Sequence, residues 1–180
     1  MKVIIVAVEQ TWTQLQSALL PPGSGDEHFG FAIAGISRSE DVCRLLIRKF
    51  ILADSSCLVK QSGANVRPDP RFVDYVWTLA KESCSSLIDF HTHPFSDTNV
   101  AFSSIDDQSE RRSFPRAVEA LGEGPHASVV LGRSSLDARW YEAATGEFRT
   151  ISMVRVLGEN LRTIIPTSAR QPAALEAACI

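Results

Sequence analysis

A short apolar segment, Ser86-Leu87-Ile88-Asp89-Phe90, runs without Gly or Pro into His91-Thr92-His93-Pro94. Its length and composition predict a buried β-strand. Residues two apart on a strand share a face, so His91 and His93 present two imidazoles to one point. Pro94 has no amide donor and ends the strand's ladder. A third ligand for an ion at that point must come from elsewhere in the chain. The nearest candidate is Asp106, at the start of a segment, 103–121, whose polar and charged residues surround Ile105, Phe114, Val118 and Leu121. That pattern reads as a helix, interrupted or restarted near Pro115, with its first turn facing the strand end.

Two histidines and one carboxylate leave the fourth position of tetrahedral zinc open, the arrangement of catalytic rather than structural sites. An ion held in this way lowers the pKa of its water to about 7. Ser103-x-x-Asp106 is equally a helix capping box. The two readings are compatible, because a capped helix start is a rigid mount for a ligand.

His-x-His-Pro followed by Ser-x-x-Asp resembles the signature of the JAMM (MPN-plus, JAB-type) zinc isopeptidases. That family also carries an upstream Glu close to a glycine-containing apolar strand, and the segment Glu27-His28-Phe29-Gly30-Phe31-Ala32-Ile33-Ala34-Gly35 is similar to it. The resemblance implies one Zn2+ per chain held by His91, His93 and Asp106, a general base at Glu27, and an oxyanion-stabilising hydroxyl at Ser103. Two departures leave alternatives open. Nine residues separate His93 from Ser103, more than the family's usual spacing, which admits Ser104 with Asp107 as a second register. The apolar Phe102, placed just before the cap as a staple residue would be, favours Ser103 with Asp106. Gly35 falls one position late, with Ala34 in its place, which admits Asp26 beside Glu27. The longer reach of Glu and its spacing to Gly30 favour Glu27.

A chain of 180 residues suits a single domain with a proper core. The formal charge of -3 argues against a general nucleic-acid binder. No segment reaches the roughly 18–20 apolar residues of a membrane span. The apolar run after Met1 is cut by Glu9 before it attains signal-peptide length and reads as a first strand. Cys43, Cys57, Cys84 and Cys179 form no Cys-x-x-Cys pair, so neither a zinc knuckle nor a disulfide framework is expected, and a reducing, cytoplasmic setting is.

Trp12, Leu15, Ala18 and Leu19 recur at helical spacing after the candidate caps Thr11 and Thr13, and the loop Pro21-Pro22-Gly23-Ser24-Gly25 ends that helix. Strands are expected at 28–36, 43–53 and 56–61, a helix at 69–82 with Pro70 in its first turn, and further strands at 126–131, 137–142 and 148–156. The order predicts an α+β fold, an α/β sandwich of helices around a mainly antiparallel sheet. The resemblance implies the same JAMM/MPN-like metalloprotease domain over residues 1–157. Residues 158–180 are left as a C-terminal extension of unknown role, a linker leading to an appended helix.

The family resemblance further implies zinc-dependent hydrolysis of a peptide or isopeptide bond after the C-terminal glycine of a ubiquitin-like protein. Small bacterial deubiquitinase-like members of this kind accompany the activating and conjugating enzymes of such systems, some in antiviral defence. The expected partner is a ubiquitin-like protein or its conjugate, with no nucleic acid and no membrane. The loop 94–101, with Phe95 and Val100 as apolar contacts and Asp97 available to a basic tail residue, is placed to shape a groove for an extended tail and is expected to be flexible. Two other readings remain. A catalytically silent MPN-like scaffold would lack ligands that this chain has, and a RadC-like, DNA-associated role sits poorly with the acidic charge. Barrel-type metal hydrolases need further histidines downstream of the motif, and His126 is the one that follows it.

Overall fold

The computed structural model describes residues 1–170. The apolar run after Met1 forms β1 (Lys2–Val8), which passes directly into α1 (Glu9–Leu19). The helix starts ahead of the expected Thr11 and Thr13 caps. Val8 occupies the cap position without a side-chain bond, and Glu9 places a negative charge on the positive end of the helix instead. β2 (Phe29–Arg38) and β3 (Val42–Leu52) form a long hairpin, followed by a small separate ladder of β4 (Leu58–Ser62) and β5 (Asn65–Pro68). α2 (Pro70–Glu82) opens as expected, with Asp69 accepting from the Arg71 amide and Pro70 where a missing N–H costs nothing. Then come β6 (Ser86–Thr92), α3 (Ser104–Leu121), β7 (Ala127–Leu131), β8 (Leu136–Glu142), β9 (Glu147–Thr150), β10 (Met153–Leu157) and β11 (Leu161–Ile164). α3 runs unbroken through Pro115, contrary to the expected interruption. Pro115 and Arg111, whose carbonyl loses its helical partner, both lie on the exposed side, where water can satisfy the freed oxygen.

The main sheet has nine strands in the order β11-β10-β1-β3-β2-β6-β7-β8-β9. It is mixed but mainly antiparallel, with parallel pairing at β1–β10, β1–β3 and β6–β7. The segment expected as one strand at 148–156 is a single extended stretch that changes partners. β9 pairs with β8; the Ile151 amide then donates to the Ala138 carbonyl and the Ser152 amide to the Val3 carbonyl; β10 continues on β1. This crossing curls the sheet around α1. Trp12, Leu15 and Leu19 are fully enclosed by residues of β1, β2, β3, β6, β7, β8 and β10. The other face carries Phe31, Ile33 and Leu87 against Phe72, Val76 and Ala80 of α2, with Leu121 of α3 packed alongside.

Within 158–170 the chain forms β11, antiparallel to β10, and a short turn at Thr167–Ala169 that returns to β8, where Ser168 donates from its amide and hydroxyl to Asp137. An appended helix beyond this point, like Cys179, falls on residues outside those described. Among the described residues no helix is long and apolar enough to cross a membrane.

Candidate metal centre

Strand alternation on β6 sorts its residues by face. Ile88 and Phe90 enter the core around α1, while Leu87, Asp89 and His91 face α2 and α3. His93 follows just past the strand end, its amide donating to the Leu131 carbonyl of β7 at 2.9 Å. Both imidazoles are buried, 6% and 5% exposed, with ring centroids 5.2 Å apart.

α3 delivers the carboxylate. Ser103 caps the helix, its Oγ accepting from the Asp106 amide at 3.2 Å, while its own amide donates to Asp106 Oδ2 at 2.6 Å. This reciprocal box fixes the Asp106 side chain at the entrance of the helix. Asp106 Oδ1 lies 3.3 Å from His91 Nε2 and Oδ2 lies 3.4 Å from His93 Nε2. The neighbouring register points elsewhere. Asp107 turns to Arg139, whose Nη1 donates to its Oδ1 at 2.6 Å, and Ser104 is exposed.

Glu27 approaches from the start of β2. Its amide donates to the Ser62 carbonyl at 2.9 Å and its carbonyl accepts from Gln61 Nε2 at 3.0 Å, so the β4–β5 ladder holds it. The residue between the histidines assists. Thr92 Oγ1 accepts from the His28 amide at 2.8 Å, tying the β2 entrance to the His-x-His segment. Glu27 is buried, 4% exposed, with Oε1 at 3.8 Å from His93 Nε2, whereas Asp26 is exposed. His28 turns away, its Nε2 3.0 Å from Ser24 Oγ. Gly30 is needed for close strand packing, since a Cβ there would come within 2.7 Å of the Phe50 ring.

The electrostatics divide the acids. Burial works against ionisation of Asp106, but the two imidazoles and the Ser103 amide outweigh it and hold the carboxyl well below the ordinary range. Burial lifts Glu27 above its ordinary value, and the opposing pull of His93 and His91 does not cancel the effect. For His93, burial favours the neutral ring, yet Asp106 and Glu27 together raise its pKa.

His91, His93 and Asp106 can each offer one atom to a metal ion, the three atoms lying within 4.8 Å of one another. His91 Nε2 is buried with no hydrogen-bond partner although Asp106 Oδ1 is near it, which marks it as a nitrogen aimed at a ligand rather than at a neighbour. Two imidazoles and a carboxylate are a donor set that suits zinc. Ser103 and Glu27 line the same cleft as His91 and Asp106.

The loop expected to be flexible is tied down. Ser135 Oγ accepts from the Val100 amide and donates to the Asp97 carbonyl, Arg133 donates to the Ser96 and Pro94 carbonyls, and Asp97 Oδ1 accepts from Ser134. Phe95 stacks on His93 at 5.3 Å and stays largely exposed. Sequence reasoning missed the polar row behind the site. Asp89, Ser128 and Arg139 are in-register neighbours across β6, β7 and β8, and Glu110 of α3 sits over them, accepting from Ser128 at 2.9 Å and from Arg139 at 2.7 Å. Burial, reinforced by Glu110, pushes Asp89 well above the usual carboxylate range. An acid two residues before His91, on the strand face shared with it, was the one signal available in the sequence.

No model of a known protein family matches the sequence, and no curated protein matches it. Among solved structures, the chain is similar to the solution structure of protein DSY2949 from Desulfitobacterium hafniense, with a TM-score of 0.55 and 14% identity over 86% of this chain and 94% of that one. At that identity the likeness concerns the fold. What the chain therefore carries is an α+β fold with a curled mixed sheet and a buried His-His-Asp cluster compatible with a metal-binding catalytic site.

Proposed function

We propose that this protein is a JAMM-type zinc hydrolase that cleaves a peptide or isopeptide bond after the C-terminal glycine of a ubiquitin-like protein. The observation that carries the reading is the convergence of His91, His93 and Asp106 with a buried Glu27 beside them. His91, His93 and Asp106 would hold a zinc ion, which would supply Lewis-acid polarisation of a scissile carbonyl and of a water. Glu27 then accepts the proton of the attacking water at its carboxylate and hands it to the leaving amine. Burial beside the triad raises its proton affinity above that of an ordinary carboxylate. Ser103 Oγ spends one acceptor position on the Asp106 amide, which leaves its hydrogen free to donate to the developing oxyanion. Phe95 stacks on His93 and covers one face of its ring.

Metal analysis of purified protein is expected to give near-equimolar zinc, falling sharply in His93→Ala and Asp106→Ala. Purified protein is expected to cleave a linear fusion after the terminal glycine of a cognate ubiquitin-like protein. Chelation stops cleavage, added zinc restores it, and cysteine alkylation has little effect. Cleavage that survives chelation and is blocked by alkylation would overturn the assignment. Bound zinc with no cleavage of any such fusion would favour a silent scaffold.

A further inference from the structure

A slot of about 230 Å³ opens from the His91 side of the metal centre and runs beneath α3. Its floor is the helix-facing side of β6, where His91, Asp89 and Leu87 follow at two-residue intervals; Glu110 and Ser113 of α3 roof it, and Trp77 of α2 closes one side. A helix lying on a sheet normally turns an apolar stripe inward. Here the inward face of α3 begins with acids and serines, so small and polar side chains leave the slot open.

The acids along the slot are not equivalent. Both oxygens of Glu110 are engaged, one by Ser128 and one by Arg139. Asp106 is held by the Ser103 amide and faces the imidazoles, and Glu27 lies beside His93. Asp89 Oδ1, in contrast, is buried without a hydrogen-bond partner, and so is Trp77 Nε1. The Asp89 side chain is only partly covered and is the unengaged acid that lines the slot. Among the described residues no ion pair joins Asp89 to a nearby cation: Arg139 gives Nε to Glu110 and Nη1 to Asp107 and keeps Nη2 buried without a partner, and Arg67 at the rim is exposed. Two residues along a strand span ~6.7 Å, roughly the reach of one extended Lys or Arg side chain from the metal ligands to Asp89. The volume is below the ~300–1,000 Å³ typical of drug-sized ligands, which fits one side chain and not a cofactor. Apolar walls from Phe29, Phe31 and Leu87 suit an aliphatic stem.

We infer that this slot is the subsite for a Lys or Arg side chain of the substrate, on the residue that follows the scissile bond, with its cationic head on Asp89. The inference rests on the hydrolase reading above. With the glycine tail set against the exposed Phe95 on the His93 side, the slot at His91 is left for the leaving chain.

Zinc-loaded protein titrated with n-butylguanidinium chloride and followed by ligand-observed NMR is expected to show saturable binding, at least tenfold weaker in Asp89→Asn and absent with neutral n-butylurea. Ser113→Leu, which plugs the slot from α3 without altering Asp89, is expected to lose binding as well while keeping its zinc. In turnover, fusions with Arg or Lys after the scissile glycine should show kcat/KM at least tenfold above those with Met or Glu, and Asp89→Asn should erase that gap. Failure of n-butylguanidinium to bind, or equal binding to Asp89→Asn, overturns the subsite whether or not zinc is bound and fusions are cleaved. Binding as described, with zinc present and no fusion cleaved, supports the pocket and overturns the hydrolase reading.

Discussion

Ser103 serves two purposes through one oxygen, and they can be separated by substitution. As a helix cap its loss to Ala costs roughly 1 kcal/mol, whereas Gly in the same place costs only a few tenths. As an oxyanion donor its loss costs on the order of 10²-fold in kcat with either residue. Ser103→Gly is therefore expected to melt close to wild type yet turn over as poorly as Ser103→Ala, measured by thermal unfolding alongside fusion cleavage. Equal activity of Ser103→Gly and wild type would confine this serine to capping. Glu27 invites a similar separation, because it is held by the β4–β5 ladder and lies outside the ligand triad. Glu27→Gln should keep its zinc and its fold while abolishing turnover; full activity would move the base to another group.

Elements meet through shared pins, and His126 is one. Its Nδ1 accepts from the Leu87 amide at 3.1 Å and its Nε2 faces the Gly122 carbonyl at 3.0 Å, joining β6 to the turn after α3. Nε2 must carry the single proton, so the ring is neutral. Burial lowers its pKa, and the Gly122 carbonyl opposes this only in part. The unfolded chain consequently takes up the proton first, at its ordinary value near 6.5. The stability this ring contributes is complete above that pH and is lost as pH falls toward the lowered folded value, by at most ~1.4 kcal/mol per pH unit. The urea midpoint of wild type should drop between pH 7.5 and 5.5 by more than that of His126→Gln; identical drops would contradict the neutral assignment. This pin also shows why some features were legible in the sequence and others were not. The His-x-His strand, the capped start of α3 and the Pro70 start of α2 rest on spacing within a few residues, and the structure places them where that spacing predicts. β5, the partner change at Ile151, β11 and the Asp89–Ser128–Arg139 row depend on neighbours far away in sequence, which local periodicity does not encode. α1 begins ahead of Thr11 and Thr13 because β1 passes straight into it at Val8, with no side-chain cap used.

For the whole molecule, the candidate ligands come from two elements that otherwise meet mainly through side chains, β6 with its trailing His93 and the first turn of α3. An ion shared between them binds the folded chain and not the unfolded one, so it adds ~2.7 kcal/mol when free zinc exceeds its dissociation constant about 100-fold. Chelation is expected to lower Tm reversibly, with the drop absent in Asp106→Ala; an unchanged Tm would separate the site from global stability. The curl of the sheet has a consequence in time as well as in space. β1 lies between β3 and β10, pairing Ile4 with Met153 roughly 150 residues further on. During synthesis this early strand has one bare edge until nearly the whole described chain has emerged, and α1 cannot be enclosed before then. Long-range parallel pairing of this kind closes slowly and leaves an adhesive strand exposed meanwhile. A nascent chain stalled before residue 150 would thus be the species most prone to capture by chaperones or by another chain, and its rescue would await the arrival of β10.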